Sequence, residues 1–172
     1  MKKGFLLLVV FFLVVLAKGQ TNPVDQMFDK YSEKEGFTTV SISGKMFSML
    51  SELDSDNKNT DNIISNLRSI KILSVEDSLI NIRTNFYNEL INKLNKNVYE
   101  ELMVIKKGPN MTKFLVKYNG ERIAELLVIK GGPGGNSLIS IKGNLSLKNI
   151  SDLSKSMDID ELEELESGQS DE

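Results

Sequence analysis

The chain contains no cysteine and no histidine. Without thiols no disulfide can form, so a hydrophobic core alone must hold the fold. The two absences together remove imidazole bases, thiolate nucleophiles and zinc sites of the usual nitrogen and sulfur type. What remains for chemistry is carboxylates, lysines, hydroxyls and backbone groups, and neither a cofactor nor a metal is expected. Basic charge is missing from one end: residues 158–172 hold eight acidic side chains and no basic one. Long apolar runs are missing everywhere but the start.

That start reads MKKGFLLLVVFFLVVLAKGQ. Lys2 and Lys3 form a positive leader, Gly4 to Leu16 an apolar run of 13 residues, and Ala17-Lys18-Gly19 the small-residue pattern that a signal peptidase reads. A membrane-spanning helix needs ~20 apolar residues, so the run predicts a secretory signal cleaved before Gln20 rather than an anchor. With no cysteine, the lipoprotein route is closed. Removing residues 1–19 from the 172 leaves 153, one domain's worth of chain. A chain of that size buries roughly 68–70% of its unfolded surface. The expectation is an exported protein, periplasmic or secreted, with no membrane span after cleavage. The leader takes three of the 21 basic residues and the tail eight of the 24 acidic ones, leaving 18 against 16 in the body. That balance gives no reason to expect nucleic acid.

Along the body, Asn22-Pro23 reads as a helix cap followed by proline at the first helical position. Val24, Met27, Phe28 and Tyr31 then recur at helical spacing, and Gly36 ends the segment. Phe37 to Ser43 is β-branched and short, a strand. Met46, Phe47, Met49, Leu50 and Leu53 line a second helix, and 54–61 is a polar loop. Ile63, Ile64 and Leu67 mark one or two helical turns, followed by a strand over Ile70–Val75. Ile82, Phe86, Leu90 and Leu94 recur every four residues, which predicts one long helix. Four strands follow, Tyr99–Lys106, Met111–Tyr118, Glu121–Lys130 and Ser137–Asn144, and then a helix carrying Leu147, Ile150, Leu153 and Met157. The fold class this order predicts is α+β: an antiparallel β-meander of four or more strands packed against several helices. The organisation is a signal at 1–19, a single domain at 20–157, and an acidic amphipathic tail at 158–172 that runs into disorder. A docking segment for a basic partner is the other reading of that tail.

Turn chemistry suggests a register for the meander. Asn119-Gly120 is the signature of a two-residue hairpin turn, which pairs Tyr118 with Glu121, Val116 with Ile123 and Phe114 with Glu125. A four-residue loop over Lys107–Asn110 pairs Met103 with Phe114. One face then holds Tyr99, Met103, Ile105, Phe114, Val116, Tyr118, Ile123, Leu127 and Ile129. The other holds Leu102, Val104, Leu115, Leu126 and Val128, with Lys113, Lys117 and Arg122 gathered beside Glu100. A covering helix with basic stems fanning into water explains that second face, and so does a surface for a partner, because large exposed apolar patches mark contacts. Lys113, Lys117 and Arg122 are the candidate partner surface. In this register Lys117 stands opposite Arg122, a like-charge pair.

Several motifs invite a chemical reading. KGGPGGNS, residues 130–137, has the glycines of a phosphate loop. A Walker loop needs a lysine that is absent here, a dinucleotide fingerprint needs glycine where Ser137 stands, and strands rather than a helix flank the run. It reads as a hairpin turn whose glycines supply positive φ. DSDNKNTDN, residues 54–62, resembles a calcium loop, but Lys58, Asn59 and Ser65 occupy ligand or turn positions, and a solvated loop fits better. Glu76-Asp77 and Glu100-Glu101 are adjacent carboxylates that on strands face opposite ways, so neither pair converges as glycoside hydrolysis requires. Asp77-Ser78-Leu79 fits the short pattern of O-glycosylation in some bacteria, and equally a loop or helix cap.

Taken together, MFDKYSEKEGFTTVSISGKMFSML, IKILSVEDS, YEELMVIK, GERIAELLVIKGG and LISIKGNLSLKNISDLSKSM resemble the DUF 4252 family of secreted Bacteroidetes proteins, over about Met27 to Leu165 and in order. The family is named for having no known function, so the resemblance carries over no catalytic or binding residue. It implies a bacterial periplasmic or secreted setting. Relatives encoded beside extracytoplasmic-function sigma factors hint at envelope stress or sensing. Many relatives resemble lipoproteins, from which this chain departs by lacking the lipobox cysteine. The resulting expectation is a non-enzymatic exported interaction or sensing module of the bacterial envelope, with an envelope protein as partner and the oligomeric state open. The alternatives are a small carboxylate-dependent hydrolase and a structural or matrix-associated secreted protein.

Overall fold

The computed structural model describes residues 22–53, 64–146 and 148–150. The expected signal segment, the 54–62 loop and the acidic tail lie outside the described residues. Six strands form one sheet in the order β1-β2-β6-β5-β4-β3, every neighbouring pair antiparallel. They are β1 (Phe37–Ser43), β2 (Leu67–Val75), β3 (Glu100–Lys107), β4 (Asn110–Asn119), β5 (Arg122–Gly131) and β6 (Ser137–Leu145). Among the described residues four helices accompany them: α1 (Pro23–Tyr31), α2 (Gly44–Leu53), α3 (Ser78–Arg83) and α4 (Phe86–Leu90). Residues 148–150 add a helical turn. The class is α+β, as the order of elements predicts. None of the described helices is long and apolar enough to cross a membrane.

α1 starts where its cap says it should. The Asn22 side chain accepts a hydrogen bond from the Val24 N–H at 3.0 Å and Pro23 takes the first helical position. The spacing of Val24, Met27, Phe28 and Tyr31 turns all four onto the sheet, where they are buried with Leu73, Leu127, Ile129 and Leu138. Phe86 and Leu90 of α4 complete this first core. The opposite face packs Ile70, Phe114, Val116, Leu126, Val128, Ile139 and Ile141 against Phe47 of α2 and Ile150. A sheet covered on both faces explains why β5 and β6 are buried along most of their length instead of alternating.

Two expectations are corrected. The long helix through Ile82–Leu94 is two short ones broken at Thr84-Asn85. Thr84 is extended, Asn85 caps α4 by accepting from the Asn88 N–H, and the free N–H of Phe86 is taken by the buried side chain of Asn136 at 2.9 Å. The break lets Phe86 and Leu90 turn fully inward and leaves Ile82 exposed.

The second correction is the β4–β5 register. Asn119 pairs with Arg122, Tyr118 with Ile123, Lys117 with Glu125, Val116 with Leu126 and Phe114 with Val128. A bulge at Ala124 shifts the register between Ile123 and Glu125. The reason is chemical: the expected register sets Phe114 against the Glu125 carboxylate, whereas the observed one pairs apolar with apolar and Lys117 with an acid. Leu127 and Ile129 therefore lie on the α1 face with Leu115, while Leu126 and Val128 join Phe114. Met103 does pair with Phe114 as expected, although the connecting turn narrows to Gly108-Pro109.

Candidate functional site

The face under α1 carries a polar row inside an otherwise apolar surface. Glu125 of β5 stands between Lys142 of β6 and Lys117 of β4 in the strand register. Its side chain is 4% exposed. One carboxylate oxygen accepts from the Ser140 hydroxyl at 2.6 Å and the other from the Tyr99 hydroxyl at 2.8 Å, with the Lys142 ammonium 4.0 Å away. Burial and the neighbouring Glu125 charge push the Tyr99 phenol well above its ordinary pKa, so Tyr99 stays protonated and donates to Glu125.

Asp25, in the first turn of α1, closes the row from above. Lys71 of β2 lies 3.1 Å from one carboxylate oxygen and Lys142 3.4 Å from the other. Burial works against the charge of Asp25, but its bonds to Lys71 and the two lysine charges outweigh that and hold its pKa below the ordinary value. Asp25 and Glu125 thus converge on a single ammonium. A carboxylate hydrolase keeps one of its two acids protonated near neutral pH. Asp25 is shifted the opposite way, and both oxygens of Glu125 are occupied by hydroxyl donors.

Tyr99 also belongs to the segment that shapes the surface here. Asn95 makes a tight turn, its carbonyl accepting from Val98 and Tyr99 and its side chain from Asn97. Around this turn lie three adjoining clefts of about 430, 520 and 590 Å³, each lined by Tyr99. Their rims carry Lys93, Lys96, Lys113 and Lys117. Asn22, Gln26 and Val98 line the largest.

Of the expected surface, Lys113 and Lys117 both line these clefts, and Arg122 continues the same face toward β6. Lys113 is bonded to Glu101 at 2.7 Å, not to Glu100, and lies over the Tyr87 ring. The Glu101 bond raises its pKa, against the effect of partial burial. Arg122 donates to the side chain and carbonyl of Asn144 instead of facing Lys117. The adjacent carboxylate pairs do not converge: Asp77 caps α3 by accepting from Leu79 and Ile80, and Glu100 and Glu101 oppose Val116 and Leu115 on different faces.

The glycine run is the β5–β6 connection, and Asn136 within it grips the α3–α4 break. A side chain at Gly131 would meet the Tyr87 N–H and the Asn85 side chain, so the run permits a close approach besides supplying positive φ at Gly132 and Gly135. Asp25, Lys71, Tyr99, Glu125 and Lys142 were not singled out by the sequence. Only Glu125 leaves a trace there, as one acid inside the apolar run Ile123–Ile129.

The model of a domain of unknown function, DUF4252, matches residues 31–153, which is most of the chain and includes the whole sheet. The chain belongs to the DUF4252 family. No curated protein and no solved structure matches it. For DUF4252 the match spans every residue of the polar row except Asp25, which precedes it. The α1 end of the site is therefore a feature of this chain outside the matched span.

Proposed function

We propose that the protein is a non-enzymatic exported interaction or sensing module, and that it meets its partner through the lysine-rimmed clefts around Tyr99. One observation carries the reading. Beneath the clefts Asp25 is compensated by Lys71 and Lys142 and Glu125 by two hydroxyls, whereas the cleft beside Val98 is lined by Lys96 and Lys117 against the single acid Glu100, none of the three with an ion pair among the described residues, which leaves a net positive rim. Uncompensated positive charge around a partly apolar cleft suits an acidic segment of an envelope protein. Lys113, Lys117 and Arg122 belong to this surface.

A photo-crosslinking residue at Val98, which lines two of the clefts, tests it in the native cell envelope. A discrete adduct is expected, absent when the crosslinker is moved to exposed Leu79 on α3 and lost on combining Lys96→Glu with Lys117→Glu. An adduct that survives both reversals, or none at Val98, would refute the proposal.

A further inference from the structure

β3 is one free edge of the sheet, and its sequence is Glu-Glu-Leu-Met-Val-Ile-Lys-Lys. We infer that two copies of the chain pair through this edge, β3 to β3 and antiparallel, about a twofold axis at Val104. Open edges are templates for another strand, and proteins commonly block them with charged side chains, proline or a bulge. β3 has no proline, and its charges are sorted by sign to opposite ends of a four-residue apolar centre. A parallel partner would stack acid on acid and base on base. An antiparallel copy brings each acidic end against a basic one.

The bulge in β3 makes the register fit. Residues directly opposed across an antiparallel pair point to the same face. Opposite β4, Glu101, Val104 and Lys106 share the face of Leu115, while Glu100, Met103, Ile105 and Lys107 share that of Phe114. The pairing with β4 skips Leu102. With Val104 opposed to Val104 of the second copy, Met103 meets Ile105. The skipped residue then sets Glu101 against Lys106 and Glu100 against Lys107, every pair on a common face. Without the skip, Glu101 would oppose Lys107 but Lys106 would face Leu102 and Glu100 would face Gly108, leaving one charge pair at each end instead of two. Val104, at the axis, is 39% exposed. Among the described residues Glu100, Lys106 and Lys107 have no ion-pair partner, and Glu101 remains half exposed beside Lys113. The isologous symmetry uses every one of these charges twice.

Sedimentation equilibrium and light scattering of the full-length protein test this with charge exchange. The native protein is expected to be a dimer at micromolar concentration. Lys106→Glu with Lys107→Glu, and separately Glu100→Lys with Glu101→Lys, should each halve the mass, with unchanged circular dichroism. Mixing those two variants should restore a dimer containing one of each, and combining all four substitutions in one chain should restore the homodimer. A native monomer overturns the proposal. So does a dimer that persists in both charge variants, which would place the contact elsewhere, for example on the uncharged β1 edge.

Discussion

Replacing Asn136 by alanine should cost the protein more than any other single polar substitution in the described structure. Its side chain is 3% exposed. Oδ1 accepts from the Phe86 N–H at 2.9 Å. Nδ2 faces four oxygens: the Asn81 side chain at 2.9 Å, the Thr84 and Gly132 carbonyls at 3.1 Å and the Asn81 carbonyl at 3.2 Å. Two amide protons serve those four, so three hydrogen bonds are fully made at any moment. At about 1 kcal/mol net each, with the Phe86 N–H left buried and unpaired, the loss comes to about 3 kcal/mol. For a domain near 150 residues that lowers Tm by roughly 6–12 °C. Asn136→Asp should be worse at neutral pH, since it keeps the acceptor but turns a carboxylate oxygen toward four others. Its deficit should shrink on acidification, as the protonated carboxyl regains a donor. Urea unfolding gives the free energies, and hydrogen exchange at the Phe86 amide reports the local effect. A change in Asn136→Ala below about 0.5 kcal/mol, typical of an ordinary surface site, with Phe86 still protected, would refute the view that this loop clamps the helix break.

Three more outcomes follow from the packing. Thr39→Val should raise stability by about 1 kcal/mol in urea, because the buried Thr39 hydroxyl has no hydrogen-bond partner among the described residues and its desolvation is uncompensated. Burial resists the charge on Asp25 and on Glu89, yet the lysines beside Asp25, and Lys30 with Tyr31 beside Glu89, hold both pKa values below their ordinary 3.8 and 4.5. Their stabilisation is therefore complete above the unfolded pKa values and lost as pH falls through the lower folded ones, and Asp25→Asn should flatten that acid limb in stability measured against pH. In a double-mutant cycle, Tyr99→Phe and Glu125→Gln should couple by about 1–2 kcal/mol, and additive effects would mean that their bond contributes nothing.

Local signals in the sequence located what local chemistry decides. Asn22-Pro23 placed the start of α1, the β-branched run placed β1 at Phe37–Ser43, and the apolar runs placed all four strands of the meander. What escaped was set by distant residues. The four-residue repeat of Ile82, Phe86, Leu90 and Leu94 continues unbroken through Thr84-Asn85 and masks the local mark of the break, the Asn85 cap of α4. The break is decided by Asn136, fifty positions away, which takes the Phe86 N–H. A single extra residue at Ala124 reversed the faces of half of β5, because side chains alternate with period two.

The site was illegible for the same reason. Lys113 and Lys117 could be picked out as strand lysines on one face, but their partners depend on register, and register depends on the bulge. Once Ala124 is looped out, Glu125 falls between Lys117 and Lys142, beneath Tyr99 and beside Ser140. In the expected register the same acid opposes Phe114 in the apolar core, where burial without partners is heavily penalised. The turn at Gly120-Glu121 moves β5 by two positions, and the inserted Ala124 moves it by one more and exchanges its faces, which together convert a misplaced charge into the centre of a bonded row and leave Lys117 at the rim of the clefts. A variant that deletes Ala124 should keep the β4–β5 pairs, because Ile123 and Glu125 would then stand side by side opposite Tyr118 and Lys117 and alternate between the two faces. Cross-strand amide contacts by NMR would read the result, and a shift of β5 against β4 on either side of the deletion would refute the view that Ala124 is a simple insertion between two fixed registers.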